Sequence, residues 1–250
     1  MERRTLLAGG LAALAACKSN SRTLPMARTQ HRPLSSLPTT TLSWLSLKDH
    51  FIATVGPSAG QGSRRGPLLV LADATFEPHS RFPLHPHRDM EILSVVLTGT
   101  LSHHGDQAHG ATIPPRSAQL ISSRDGIFHA EGNDTDTQTR MLQIWFEPTS
   151  RGGAPAYFQR DLTAKGRQLI AGDDVMPLRC DAKVSWIDLE AGKPEALEIA
   201  TGRHGYLLAL DGEVNAGTTL AAGDGLDVEP GALTVTASTS CAVLWIDAVA

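Results

Sequence analysis

The stretch His85-Pro86-His87-Arg88-Asp89-Met90-Glu91-Ile92-Leu93-Ser94-Val95-Val96-Leu97-Thr98-Gly99-Thr100 joins a pair of metal-ligating side chains to a short apolar run that stops at a glycine turn. The run 91–97 is β-branched, brief and turn-bounded, which predicts a strand. His85 and His87 stand two residues apart, and so do His129 and Glu131 in Ile127-Phe128-His129-Ala130-Glu131. Side chains alternate across a strand, so each pair shares a face, and two neighbouring strands can converge three imidazoles and a carboxylate on one point. Neutral imidazole with carboxylate suits iron, manganese, nickel, copper or zinc. A metal enzyme is the function that this pattern favours.

Histidine alone is weak evidence, and Pro86 between the first two points to a strand edge or a bulge. Clustering strengthens the reading, because seven of the ten histidines fall between positions 79 and 129. His103, His104 and His109 lie in the polar, glycine-punctuated stretch Ser102-His103-His104-Gly105-Asp106-Gln107-Ala108-His109-Gly110, which predicts a solvated loop rather than a ligand set. His204 stands alone in the second half and is expected to bind nothing.

Outward from this centre the chain reads as all-β. Further apolar runs at 51–55, 67–76, 118–121 and 141–146 predict strands, with glycine, proline and aspartate at their boundaries. Residues 147–166 shift to glycine, proline and charge, predicting a domain boundary. A second series at 168–170, 183–189, 204–210, 226–228, 233–237 and 243–246 repeats the plan without the histidines. Two successive β-barrels follow, a metal-binding one over 41–150 and one lacking ligands over 160–250.

The chain has 250 residues, 41% of them hydrophobic, enough for packed cores. A net charge of -4 and the absence of any Lys/Arg stripe argue against a nucleic-acid partner. Met1-Glu2-Arg3-Arg4, the apolar run 5–16 and Cys17 read as a bacterial export signal, too short to span a bilayer as a helix. Leu14-Ala15-Ala16-Cys17 resembles a lipobox, so residues 1–17 predict a periplasmic, lipid-anchored protein whose only membrane contact is the lipid on Cys17. Arg3-Arg4 is compatible with the twin-arginine route, by which a folded protein would carry iron or manganese out of the cytoplasm. Residues 18–40 predict a flexible tether. Of the remaining cysteines, Cys241 lies in an apolar run and reads as a buried free thiol, and no pairing with Cys180 is expected.

His85 to Leu93, continuing to Thr100, resembles the pirin family of bicupins. Gly126-Ile127-Phe128-His129-Ala130-Glu131-Gly132-Asn133 is similar to that family's second motif, Leu142-Gln143-Ile144-Trp145-Phe146-Glu147-Pro148 to the segment that closes its first barrel, and Gly202 to Gly212 with Gly223-Asp224-Gly225 to its second barrel. The likeness covers residues 45 to 248. It implies two tandem jelly-roll (cupin) barrels and one metal, usually iron, held as Fe(II) by His85, His87, His129 and Glu131. Some members resemble quercetin 2,3-dioxygenases, which open a flavonol ring with O2 and release carbon monoxide. Others act as nuclear cofactors, a role closed to an exported lipoprotein.

The resemblance ranks Glu91, which the general cupin pattern offers as a ligand, behind Glu131, as a group orienting an imidazole or packing at the barrel mouth. Ala130 and Gly132 depart from the family pattern and imply a wider or less polar pocket wall. Glu131 is expected to be both ligand and proton acceptor. Phe82, Phe128, Trp145 and Phe146 are the aromatic candidates for the pocket, and at most one of the adjacent Trp145 and Phe146 can face inward. The competing classes are a metal-bearing binding or sensor module without turnover and an oxygen-independent isomerase or hydrolase.

Overall fold

The computed structural model describes residues 24–250. The export signal and lipobox read at residues 1–17 therefore lie outside the described residues. Apart from one 3-10 turn at Leu34–Ser36, every regular element among the described residues is a β-strand. The strands form two barrels, each a pair of facing antiparallel sheets.

In the first barrel the larger sheet runs in the order Ala156–Asp161, Ser117–Ser122, Glu91–Thr98, Thr139–Phe146, Leu68–Phe76, Leu45–Asp49, Thr39–Thr41. The smaller sheet is built around Ile127–Asn133, which pairs with His85–His87 and Ser80–Arg81 on one side and with Leu101–Gly105 on the other. The second barrel repeats the arrangement, with a six-stranded sheet centred on Arg203–Ala209 and Cys241–Val249 and a four-stranded one around Gly231–Ala237.

Strand parity divides the apolar residues between two destinations. On the central strands Leu93, Val95, Leu142, Ile144 and Phe146 point out of the first barrel, onto Val184, Trp186, Leu208, Leu244 and Ile246 of the second. Their shared core joins the barrels, each fully buried large side chain contributing roughly 1.5–3 kcal/mol. Arg116 adds a bidentate pair to Asp188 across the same junction, at 2.9 and 3.0 Å. The alternate residues Val70, Ala72, Ala74, Val96 and Met141 point into the first barrel. The interior of the second barrel is filled by Leu197, Leu207, Val214, Leu226, Val235, Val243 and Trp245, with no metal-donor set there among the described residues.

Three expectations need correction. The tether does not extend through residue 40, because Thr29–Arg32 is a strand paired with Gly225–Val228 of the second barrel. The stretch 147–166 is not simply a boundary either, since Ala156–Asp161 pairs along its length with Ser117–Ser122 of the first barrel. Residues 51–55 form no strand. Phe51 is apolar because it anchors a loop in the core between the barrels, with its ring 4.9 Å from that of Tyr206. Cys180 and Cys241 are both free.

A candidate metal centre in the first barrel

His85–His87 lies antiparallel to the first half of Ile127–Asn133, with His129 opposite His85 and Ile127 opposite His87. Parity then turns His85, His87 and His129 to the barrel interior. The ring centroids are 4.9 Å apart for His85 and His87, 4.7 Å for His85 and His129, and 4.9 Å for His87 and His129. One nitrogen from each of the three lies within 4.8 Å of the others. Gly105, opposite His129, allows the next strand to close on this group: a Cβ there would stand 2.2 Å from the Phe128 carbonyl oxygen.

The donors are prepared to ligate. Nδ1 of His85 lies 2.8 Å from the Pro83 carbonyl oxygen. It must donate there, which leaves Nε2 with a free lone pair. Among the described residues Nε2 of His87 and both nitrogens of His129 are buried without a hydrogen-bond partner. Burial, and then the neighbouring His129 and His85, push the His87 imidazole down to about 3. His129 is likewise pushed down to about 3, by burial first and by His85 and His103 next. Neutral imidazoles with unpartnered nitrogens carry a desolvation cost that a bound cation relieves. The residues present therefore fit a divalent metal.

Glu131 enters a different set. Its donor oxygen lies within 4.8 Å of donors from His103 and His129, not jointly with both His85 and His87. Oε1 accepts from Ser94 Oγ at 2.7 Å and from the Gln119 amide. Gln119 in turn accepts from Tyr157 Oη at 3.0 Å. Among the described residues no bond engages Oε2.

His103 is the residue that sequence reasoning misplaced. It belongs to Leu101–Gly105 and stands directly across from Glu131, at 0% exposure. Its neighbour His104 points the other way, with Nε2 2.7 Å from Asp134, and His109 is exposed. The signal available was the turn Thr98-Gly99-Thr100, after which a strand resumes with Leu101 and His103 on one face.

Glu91 belongs to neither set. The ligand strand ends at His87 and the chain turns at Asp89, which has φ 47°, so parity does not carry across to the next strand. Glu91 accepts from Ser122 Oγ at 2.6 Å. Burial raises its pKa, against the opposing pull of Ser122, Arg179 and Arg124.

A cavity of about 300 Å³ opens onto His85, His87 and Glu131. Its walls are Leu47, Val55, Val70, Ala72, Ala74, Phe76, Phe82, Met141 and Trp145, with Gln143 and Thr54 as further polar groups. Trp145 is the inward member of its pair, 4.9 Å from the His87 ring, whereas Phe146 is buried in the core between the barrels. Phe82 also lines the cavity, and Phe128 is 51% exposed on the outer surface.

The expected widening at Ala130 and Gly132 does not arise, because both alternate with His129 and Glu131 and face outward. At Gly132 a Cβ would meet Arg81 Cβ at 2.1 Å, so the glycine serves the close approach of Ser80–Arg81.

A family model described as Pirin matches residues 31–146, and one described as Quercetinase C-terminal cupin domain matches residues 170–248. The chain is 33% identical over 229 residues to a pirin-like protein of Caulobacter vibrioides, covering 87% of this chain and 98% of that one. It is 31% identical over 188 residues to the quercetin 2,3-dioxygenase of Escherichia coli strain K12, covering 72% and 81% respectively. The fold superposes on the bacterial pirin YhhW from Escherichia coli, solved in complex with nickel(II), with a TM-score of 0.82 and 25% identity over 89% of this chain and 99% of that one.

Proposed function

Because the chain belongs to the pirin family of two-barrel cupins, we propose that its first barrel is the active site of a dioxygenase that cleaves quercetin or a related flavonol or phenolic with O2. The observation that carries this reading is the apolar cavity ending on His85, His87 and Glu131. A flat aromatic body fits such walls, and its oxygen atoms would be directed to the polar end.

His85, His87 and His129 are the imidazoles assigned to the metal, with Glu131, whose donor oxygen lies within 4.8 Å of that of His129, as the carboxylate. The bound metal, with Fe(II) favoured, supplies a positive charge that lowers the pKa of a flavonol enol or phenol and fixes the anion for reaction with O2. Glu131 takes the substrate proton at Oε2, while Ser94 and Gln119 hold Oε1 and so keep the carboxylate aimed. Phe82 and Trp145 line the cavity beside His85 and His87, positioning the ring and excluding water. The substrate loses a proton to Glu131, gains both atoms of O2 and expels carbon monoxide, and Glu131 returns the proton to the ring-opened product.

Aerobic assay of the metal-loaded protein against a flavonol panel tests the reading. Loss of flavonol absorbance with matching O2 uptake is the expected result. Tight ligand binding without turnover would instead indicate a sensor or binding module, and turnover under anaerobic conditions an isomerase or hydrolase. We further assign the protein to the periplasmic face of the cell envelope, held by lipid on Cys17. Cell fractionation should find the natural sequence with membranes and Cys17→Ser released, and identical partitioning of the two would remove the anchor.

A further inference from the structure

Of the set His103, His129 and Glu131, only His103 has no part in the scheme above. We infer that the set is a second, inner seat for the metal ion, next to the seat formed by His85, His87 and His129, and that His103 is a ligand there. The inference rests on reading the three-histidine cluster as a metal centre.

Two features of His103 carry it. Both ring nitrogens are buried without a well-formed hydrogen bond among the described residues, with only a weak approach to the Gln107 main chain, and the residue is 0% exposed. Its ring centroid lies 5.4 Å from that of His129 and 5.5 Å from that of Tyr157, contacts that give packing but no hydrogen bond. A leucine would fill such a place without stranding two polar atoms, and buried polar groups are otherwise almost always satisfied. Secondly, the cross-strand register sets His103 directly opposite Glu131, and the donors of His103, Glu131 and His129 lie within 4.8 Å of one another.

The five donors fall into two sets that share His129. Two dications would place four positive charges beside one carboxylate in a dry interior, a costly arrangement. One ion with two alternative seats avoids this. The outer seat faces the cavity through His85 and His87, whereas His103 does not line it. The inner seat thus meets the cavity through Glu131 alone of its three ligands. Its carboxylate oxygen and two imidazoles suit a harder first-row ion such as Mn(II).

Titration of metal-free protein with Mn(II) and Ni(II), followed by calorimetry and Mn(II) electron paramagnetic resonance, tests the inference. His85→Ala/His87→Ala is expected still to bind one Mn(II). Adding His103→Leu should weaken that binding more than about a hundredfold, beyond the loss usual for partners of ligands. His103→Gln serves the same purpose if the leucine variant does not fold, as checked by circular dichroism. A folded double variant that binds no Mn(II), or a triple variant that binds as well as the double, overturns the inner seat and leaves the outer one standing. Wild-type protein that binds neither ion overturns both.

Discussion

Replacing His129 with alanine is expected to strip the protein of metal. His129 is the one side chain common to both donor sets, so its loss leaves two donors in each. Affinity should fall by more than about a hundredfold, since even partners of ligands account for ten to a hundredfold. Metal per protein after purification, measured by mass spectrometry, is the readout, with thermal unfolding to show that the 1% exposed site still folds. His85→Ala should fall between this variant and the wild type. His204→Ala should match the wild type, because His204 lies on Arg203–Ala209 of the second barrel and belongs to neither set. Wild-type metal content in His129→Ala would mean that the ion binds elsewhere.

Replacing Glu131 with glutamine is expected to leave metal bound through the three histidines and to lower flavonol turnover by about a hundred to ten thousandfold, the usual contribution of a positioned base. The substitution is close to isosteric. Its amide oxygen can accept from Ser94 and Gln119 as Oε1 does, so the side chain stays in place while the proton acceptor is lost. The test compares kcat in metal-matched samples. Activity within a few-fold of wild type would transfer the base role to another group.

Much of the first barrel was legible because parity is a local property. The i, i+2 spacing of His85 with His87 and of His129 with Glu131 fixes which face each takes, and the pairing of their strands follows the expected convergence for the three histidines. Parity fails where the backbone resets. Asp89, with φ 47°, breaks the alternation between His87 and Glu91, so the carboxylate that the general cupin pattern offers as a ligand lies beside Ser122 instead.

His103 was hidden for a related reason. Its strand is polar apart from Leu101, and only the register against Glu131, set by tertiary pairing, shows it to be interior. Trp145 and Phe146 illustrate the same boundary. Sequence shows that they face opposite ways, but which way is inward depends on the second barrel covering Phe146.

Thr29–Arg32 was invisible to hydrophobic patterning because it completes a sheet through its main chain, with Val228 opposite Thr29 near the other end of the polypeptide. That pairing ties biogenesis to chain completion. On the ribosome this strand emerges well before Gly225–Val228 and waits, without that partner, until the intervening chain has been synthesised, a long-range closure of the kind that slows folding. A fragment starting near residue 40 would leave Gly225–Val228 as a bare edge open to pairing with other chains. The second barrel is therefore not a portable module, and attempts to produce it alone should begin by supplying the missing strand.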